Sequence, residues 1–567
     1  MRHAGFTFRR NALLAGALFV ALAVVLAVCG TAAAAAAAGS LGASAVPDHV
    51  TLTWTQDPAT TQTITWRTDT TVQTGIVQYA KATDPASFPA EAQSAEATVQ
   101  TLSTDLGDMN LHTVTLTGLE PGTRYLYRVG DGTRWSPTYS FTTEATGVDR
   151  FKFLVFGDSQ SGDPLNPEYG PWQKTIQNAF NSNRDARFFV NVGDLVEWGQ
   201  SYIHWNKWFD AAKGVVDTIP AMPVQGNHET YNPPDWHTTK PVFWTAQFKL
   251  PQNGPEGLKG QTYSFDYGDA HFVMLDSQEA EEQPVAGDIL EAQKAWLEQD
   301  LQNTAKTWKI VFFHKTPYYN KATRSNEDIK AAFGPILDKY GVDVVFNGHD
   351  HGVARTYPIN NDSFVSSPAQ GTVYYVTGRS GNKYYTDLSA KVWDAFFYDP
   401  QAQPNYVVVQ VNGSKLTIKA VNQDGSLIDV YTIDKATGLD TPRTALPSRA
   451  NNTRLVVFGN MLQEPLLPAA PSQVNGKWFL PLEAFVHFLG GSVAAQAHGA
   501  LTIKVGSTTI EAAPDAAQAT VNGKVTTLPD ALAKGKGYTL VSADALKALL
   551  GFNYKYDPAT NMLMFVR

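Results

Sequence analysis

Five short clusters carry residue types suited to metal chemistry, and each stands where an apolar run gives way to a polar loop. They are Gly157-Asp158-Ser159-Gln160, Gly193-Asp194, Gly226-Asn227-His228-Glu229, Phe313-His314 and Gly348-His349-Asp350-His351. In the last, Val344-Val345-Phe346 reads as a buried strand, Gly348 lets the chain turn, and two imidazoles follow two residues apart. Both rings can then converge at the carboxyl edge of a sheet. Taken singly, His-x-His also describes packing histidines and Gly-Asp an ordinary turn. Five clusters in one segment, four of them introduced by Gly, point instead to a single metal site. Two ions about 3.5–4 Å apart repel one another and need a shared anionic oxygen, which a carboxylate such as Asp194 can supply. Imidazole suits Fe, Zn or Mn, while carboxylate and amide oxygens suit harder ions. The set fits a pair of transition-metal ions, divalent or mixed-valence.

The segment that must position these clusters alternates between strand-like and helical patterns. Strand-like runs cover Phe151 to Phe156, Arg187 to Val192, Lys309 to Phe313 and Val342 to Phe346; helical periodicity covers Trp172 to Asn181, Asp288 to Asn303 and Ile329 to Lys339. Such alternation predicts an α/β layer fold. Hairpin-like runs (Thr262 to Tyr267, His271 to Leu275, Thr372 to Thr377, Tyr406 to Val411, Lys415 to Val421) argue for a sandwich of two mixed sheets flanked by helices rather than one doubly wound sheet. Lys315, Tyr318 and Arg379 follow strand ends, where they could line a pocket or serve as rim and structural residues.

Before this segment, residues 46–145 show short alternating strands separated by turn residues: Val50 to Trp54, Thr63 to Trp66, Gly75 to Tyr79, His112 to Leu116 and Tyr125 to Val129. This predicts a β-sandwich, with Trp54, Trp66, Tyr125 and Tyr127 as core. The α/β segment is expected to span 150–432. After Thr432, a linker with Pro442 and Pro447 leads to a small α+β domain at 454–567 with an internal repeat at an offset of 60: Trp478 and Leu480 match Tyr538 and Leu540, and Val486, Leu489 and Gly491 match Leu546, Leu549 and Gly551. Each copy reads as a helix ending at Gly and followed by a strand, Leu501 to Val505 or Met562 to Val566. Two copies can bury faces that one cannot.

The whole chain has 567 residues, 43% hydrophobic and 17% charged, with 32 Pro, 44 Gly and a net charge of −9. That is a multidomain globular composition, and the acidic balance argues against a nucleic-acid duplex as partner. Arg2, Arg9 and Arg10 precede an apolar run from Ala12 to Val28 and an Ala-rich stretch ending Ala43-Ser44-Ala45. This reads as a secretory leader over 1–45, cleaved after Ala45 or near Ala36-Ala37-Ala38, with an uncleaved anchor as the alternative. Once cleaved, the chain would have no stable membrane span. The one cysteine, Cys29, lies in the leader, so the mature chain is expected to lack disulfides and to be extracellular or at the cell surface.

The order GD, GD, GNHE, H, GHDH resembles the calcineurin-type metallophosphoesterases. The sandwich in front and Gln293-Lys294-Ala295-Trp296-Leu297 make it similar to the purple acid phosphatase branch. Within the sandwich, Leu116 to Tyr125 resembles the tyrosine corner of fibronectin type III and purple acid phosphatase N-terminal domains. The C-terminal repeat resembles the domain named after the N-terminal region of copper amine oxidases; with no Cys and His only at 487 and 498, it is read as a cell-wall or surface-binding module without copper. The resemblance implies that Asp158, Asp194 and His351 bind one metal, that Asp194, Asn227, His314 and His349 bind the other, and that His228 acts as an acid or transition-state donor. Asp350 and Glu229 would fix histidine tautomers. Two departures stand out. Glu197 occupies the place of the Tyr that colours purple acid phosphatases, and Gln160 that of a His; its amide oxygen would bind metal or merely hydrogen-bond. The implied activity is hydrolysis of small phosphate monoesters by a hydroxide generated between the ions. A phosphodiesterase or nucleotidase, or a surface-binding protein with a degenerate phosphatase domain, are the alternatives.

Overall fold

The computed structural model describes residues 42–83, 88–89, 91–463, 466–496 and 499–567. The expected leader falls almost wholly outside them, as does His498. Among the described residues no helix is long and apolar enough to cross a membrane.

Two four-stranded antiparallel sheets form the N-terminal sandwich. One runs in the order Asp48–Thr53, Gln62–Asp69, Gly107–Leu116, Thr98–Thr104; the other Gln93–Glu96, Ile76–Lys81, Arg124–Gly130, Tyr139–Thr142. The tyrosine corner is present, since Tyr125 Oη accepts from the Glu120 N–H at 2.9 Å. Trp66, Tyr125 and Tyr127 are core, but Trp54 belongs elsewhere: it packs against Phe188, Phe265 and Tyr267 of the next domain. Backbone hydrogen bonds Leu52 N to Val216 O and Ala221 N to Leu52 O fasten the two domains together.

The central domain is a sandwich of a six-stranded and a seven-stranded sheet. The first has the order Ala186–Asn191, Arg150–Phe156, Asn405–Asn412, Lys415–Asn422, Leu427–Asp434, Leu439–Thr441. The second has the order Tyr263–Tyr267, Ala270–Met274, Trp308–Lys315, Val344–Gly348, Val373–Thr377, Val353–Thr356, Asp394–Tyr398, with four consecutive strands from Ala270–Met274 to Val373–Thr377 parallel. Rings of both sheets interlock between them: Phe153 stands edge-on to Phe272 at 5.4 Å and to Phe312 at 6.5 Å. Helices Gly170–Ser182 and Tyr202–Ala212 cover the first sheet, and Ile289–Asn303 and Glu327–Tyr340 the second. Asp288 caps the third helix by accepting from Glu291 N, and Gly341, left-handed at φ 61°, ends the fourth. Parallel strands of both sheets therefore end at one edge, where polar loops can meet.

The expected end of this domain at Thr432 falls inside strand Leu427–Asp434, and the sheet continues to Thr441. Tyr431, fully buried, donates to Asp440 at 3.0 Å across that boundary.

In the C-terminal region the two repeat strands, Lys477–Pro481 and Thr539–Ser542, pair antiparallel with Leu480 opposite Val541. Each feeds a helix, Leu482–Phe488 or Ala543–Leu550. Gly551 is the left-handed cap of the second helix, as the pattern predicts; in the first copy that role falls to Gly490 at φ 73° and not to Gly491. A five-stranded meander, Ser492–Ala495 to Lys524–Thr527, lies between the copies.

Truncation after Ser448 is expected to leave the central sheets intact, whereas truncation after Thr432 strips the partner from Tyr431 and should cost a further ~1–3 kcal/mol for the orphaned hydroxyl alone. Thermal unfolding of both truncations, read against the full chain, checks this; equal melting temperatures would contradict it.

Candidate metal centre

Four of the expected ligands sit in backbone conformations that L-residues avoid. Asp158 (φ 46°), Asp194 (φ 53°), His349 (φ 73°) and His351 (φ 60°) are all left-handed. The glycines of these clusters are required for a different reason, close approach. A Cβ on Gly226 would lie 2.2 Å from Asp194 Oδ1, one on Gly348 2.7 Å from Asp158 Oδ2, and one on Gly193 2.6 Å from His314 Nδ1. Strained φ values cost of order 1–3 kcal/mol each and persist where the surroundings over-determine them.

Among the described residues, two triads of potential ligands form, Asp194-His314-His349 and Asp158-Asp194-His351, all buried and sharing Asp194. His314 Nε2 lies 3.1 Å from Asp194 Oδ2, 3.2 Å from Asn227 Oδ1 and 3.1 Å from His349 Nδ1. His351 Nε2 lies 3.2 Å from Asp158 Oδ1 and has no hydrogen-bond partner. Gln160 donates through Nε2 to Asp194 Oδ2 at 3.1 Å, while its Oε1 is buried without a partner. All eight residues, His228 included, thus converge on one place.

Backbone carbonyls set the tautomers. His314 Nδ1 meets Val192 O at 2.8 Å, His351 Nδ1 meets Lys383 O at 3.0 Å and His228 Nδ1 meets Glu197 O at 2.6 Å. Each Nδ1 is therefore the N–H, and each Nε2 presents its lone pair inward. Glu229 and Asp350 were expected to do this and do not. Glu229 instead accepts from the backbone N–H of Asp194, Leu195, Val196 and Gly226, clamping two loops. Asp350 accepts from Asn320 N, Lys321 N and Arg324 Nε.

Lone pairs and carboxylates facing one another at about 3 Å repel unless a cation lies among them. Without one, a proton must serve. Burial would lower the pKa of His314, but Asp194 and Asp158 overcome it and push it up to about 9. His349, buried and close to Arg324 and His314, is held well below its ordinary value. The orphaned Nε2 of His351 and the shared Asp194 carboxylate fit a two-cation centre better than a single proton.

The comparisons agree. The sequence profile of calcineurin-like phosphoesterases matches residues 151–353, that of the purple acid phosphatase N-terminal domain 47–143, and that of the copper amine oxidase N-terminal domain 461–565. Mouse acid phosphatase type 7 is 27% identical over 428 residues, spanning 68% of this chain and 90% of its own; the human form is 25% identical over 433 residues, 69% and 92%. Arabidopsis thaliana purple acid phosphatase 15 is 28% identical over 305 residues, 48% of this chain and 54% of its own. In fold, the purple acid phosphatase PPD1 from yellow lupin superposes with a TM-score of 0.56 over 69% of this chain and 74% of its own, at 20% identity. The chain thus carries a calcineurin-like phosphoesterase domain behind a purple acid phosphatase N-terminal domain.

At Glu197, where the resemblance to purple acid phosphatases implies a Tyr, the structure shows a carboxylate with partners of its own. Glu197 accepts from Gly162 N at 2.8 Å and from Lys383 Nζ at 2.9 Å, and Lys383 Nζ also lies 3.0 Å from His228 Nε2. Lys383 escaped the sequence reading, as did Tyr385, whose ring packs on His351 with centroids 4.4 Å apart. Both come from the loop after Val373–Thr377, where they lie beyond the Gly378-Arg379 and Gly381-Asn382 pairs and not directly after a Gly; Gly381 marks the close approach, since a Cβ there would meet Ser159 O at 2.4 Å. Arg379 does not face the centre. It donates to Pro400 O, Gly381 O and Gln401 O, bracing the loop, and burial pushes its pKa down to about 10. Lys315 pairs with Glu281 at 2.6 Å, and Tyr318 donates to Asp362 at 2.9 Å.

Gly348→Ala should therefore empty the centre while sparing the fold, because its Cβ intrudes on Asp158 and His314. Gly334→Ala, a helix position whose Cβ would meet only Lys330 Cγ at 3.9 Å, is the control and should stabilise by roughly 0.5–1 kcal/mol. Metal content by elemental analysis and melting temperature are the readouts; a Gly348→Ala protein with full metal content would refute the close-packing argument.

Proposed function

We propose that this metallophosphoesterase is an exported phosphomonoesterase of acid-phosphatase type, with Asp158, Asp194 and His351 holding one ion and Asp194, Asn227, His314 and His349 the other. The observation that carries the assignment is the pair of buried triads sharing Asp194. The names of the relatives, acid phosphatase type 7 and purple acid phosphatase 15, support the substrate class. Two bound ions supply Lewis acidity, charge neutralisation and an acidified water.

The chain's own residues do the rest. Asp194, fixed from behind by Glu229 on its loop, holds the shared position. Gln160 hydrogen-bonds Asp194 and leaves its amide oxygen free, so it completes the Asp158 side either as a donor of that oxygen or by orienting the bridge. His228 approaches Asp194 to 3.9 Å through Nε2 and, once that nitrogen takes up a proton in place of the hydrogen bond it accepts from Lys383, is the side chain beside the bridge best placed to assist the departing oxygen. With no phenolate or second histidine on the Asp158 side, the proposed ligands offer only two formal negative charges, from Asp158 and Asp194. Such a set favours a divalent pair of Fe, Zn or Mn over a ferric ion. Export rests on the leader read over 1–45, and surface attachment on the C-terminal module, whose Leu466, Val474 and Val525 side chains are exposed.

Metal analysis combined with hydrolysis of p-nitrophenyl phosphate and bis-p-nitrophenyl phosphate tests the assignment. Asp194→Asn should lose most activity and metal together, since a neutral amide cannot bridge two cations as a carboxylate does. His228→Ala should keep both metals while the rate on alkyl phosphates falls by roughly 10²–10⁴, and by less on nitrophenyl esters, whose leaving group departs unaided. Metal loss in His228→Ala would make it a ligand, and equal losses on both esters would make it a phosphate-oxygen donor.

The metal-loaded protein should also lack an intense visible charge-transfer band, because the carboxylate of Glu197 is engaged with Lys383 and Gly162 where a phenolate would stand. An absorption spectrum checks this. A strong band would mean that another phenol, such as that of Tyr385, reaches the metal.

A further inference from the structure

Lys383 holds a cation beside the centre that the chemistry above leaves unused. An ammonium has three N–H donors. One meets Glu197 Oε1 at 2.9 Å and a second meets His228 Nε2 at 3.0 Å, the accepting nitrogen, since Nδ1 already faces the Glu197 carbonyl. The Lys383 side chain is 21% exposed whereas Glu197 is 2% exposed, so the ammonium is anchored from below and open above. Its backbone is fixed as well, because Lys383 O accepts from His351 Nδ1. The other cations nearby are committed: Arg324 is paired with Asp350 and bonded to His349 O, and Lys315 is paired with Glu281.

Resting on the phosphoesterase reading, we propose that Lys383 is a specificity-determining residue whose remaining N–H binds a terminal oxygen of phosphate monoesters and so disfavours diesters. A monoester has three terminal oxygens and two negative charges; a diester has two terminal oxygens and one charge, with an ester group in the third place. An ammonium aimed at that third place gains a charge-assisted hydrogen bond from the monoester. Against the diester it loses water and receives no acceptor in return. Glu197 gains a role in the same step, because it sets the height of Lys383 over the centre.

The test uses full-length, metal-loaded protein carrying Lys383→Gln, with Lys383→Met as a second variant should the first not fold. p-Nitrophenyl phosphate and bis-p-nitrophenyl phosphate share one leaving group, so the ratio of their kcat/KM values isolates recognition of the terminal oxygens. That ratio should fall by about 10–100-fold, the value of one hydrogen bond to a charged group. Calorimetric binding of inorganic phosphate should weaken by a similar factor at unchanged metal content, and Lys383→Arg should recover part of both. Equal losses on the two esters, an unchanged ratio, or phosphate affinity equal to wild type would each overturn the proposal. A wild-type protein that binds no metal or turns over neither ester would instead overturn the broader phosphoesterase assignment.

Discussion

The centre depends on one repulsive constraint: two carboxylates, three imidazole lone pairs and an amide oxygen crowd together among buried side chains, each about 3 Å from a neighbour. Such a cluster does not assemble for its own stability, since buried like-charged and lone-pair contacts are costly without a compensating cation. The left-handed backbones of Asp158, Asp194, His349 and His351 and the Cβ-less approaches of Gly193, Gly226 and Gly348 show where the chain has given up local preference to bring the donors this close. Local preference is overridden at functional sites when the surrounding fold is strong enough to do so.

That strength comes from the two sheets. Contacts of Phe153 with Phe188, Phe272 and Phe312 hold Arg150–Phe156, Ala186–Asn191 and Trp308–Lys315 relative to one another, and Val344–Gly348 pairs with the last; Asp158, Asp194, His349 and His351 follow within a few residues of strand ends, and His314 lies within its strand. Side chains then secure the loops from behind. The Glu229 carboxylate takes four backbone N–H groups, and burial together with Asp194 pushes its pKa up to about 8. It stabilises loop geometry and leaves the tautomers to carbonyl oxygens, which cannot titrate. A carbonyl partner keeps each Nδ1 protonated across the whole working pH range, which a carboxylate partner could fail to do once it took up a proton.

Much of this was legible in the sequence because Gly followed by a polar residue after an apolar run is a local signature with a physical cause. The two-sheet sandwich was legible too, since most of its strands are either unbroken buried runs or hairpins with clear turn residues. What failed to show had equally physical reasons. Helix Tyr202–Ala212 is buried nearly all round, so its apolar residues trace no single stripe. Edge strands Gln93–Glu96 and Thr98–Thr104 are largely exposed and lack alternation. Strand Leu439–Thr441 is three residues long, and leaving it out moved the expected boundary to Thr432. Lys383 gave no signal because its importance lies in Glu197 and His228, which are 186 and 155 residues away in sequence.

The N-terminal sandwich is more than a spacer in front of the centre. Asp105, at the tip of a sandwich hairpin, accepts from Ser201 Oγ at 3.0 Å and from Tyr202 N at 2.7 Å, placing a carboxylate at the N-terminus of helix Tyr202–Ala212. A negative charge there stabilises the helix through its free N–H groups and dipole. The same helix sends the Trp205 indole N–H to Gly199 O, and Gln200 donates through Nε2 to Glu229 O. Gly199 itself lies so close to Glu229 that a Cβ would stand 2.0 Å from its carbonyl oxygen. A continuous set of contacts thus runs from Asp105 through the 199–202 turn to the loop that carries Asn227, His228 and Glu229. Each link is a hydrogen bond or a close packing contact, and each is buried or partly buried. The sandwich therefore acts as a buttress on the side of the centre where His228 and Lys383 stand. The loop of Asn227, His228 and Glu229 supplies Asn227 as its one proposed ligand, so the brace holds in register a segment that bound ions would tether at a single point.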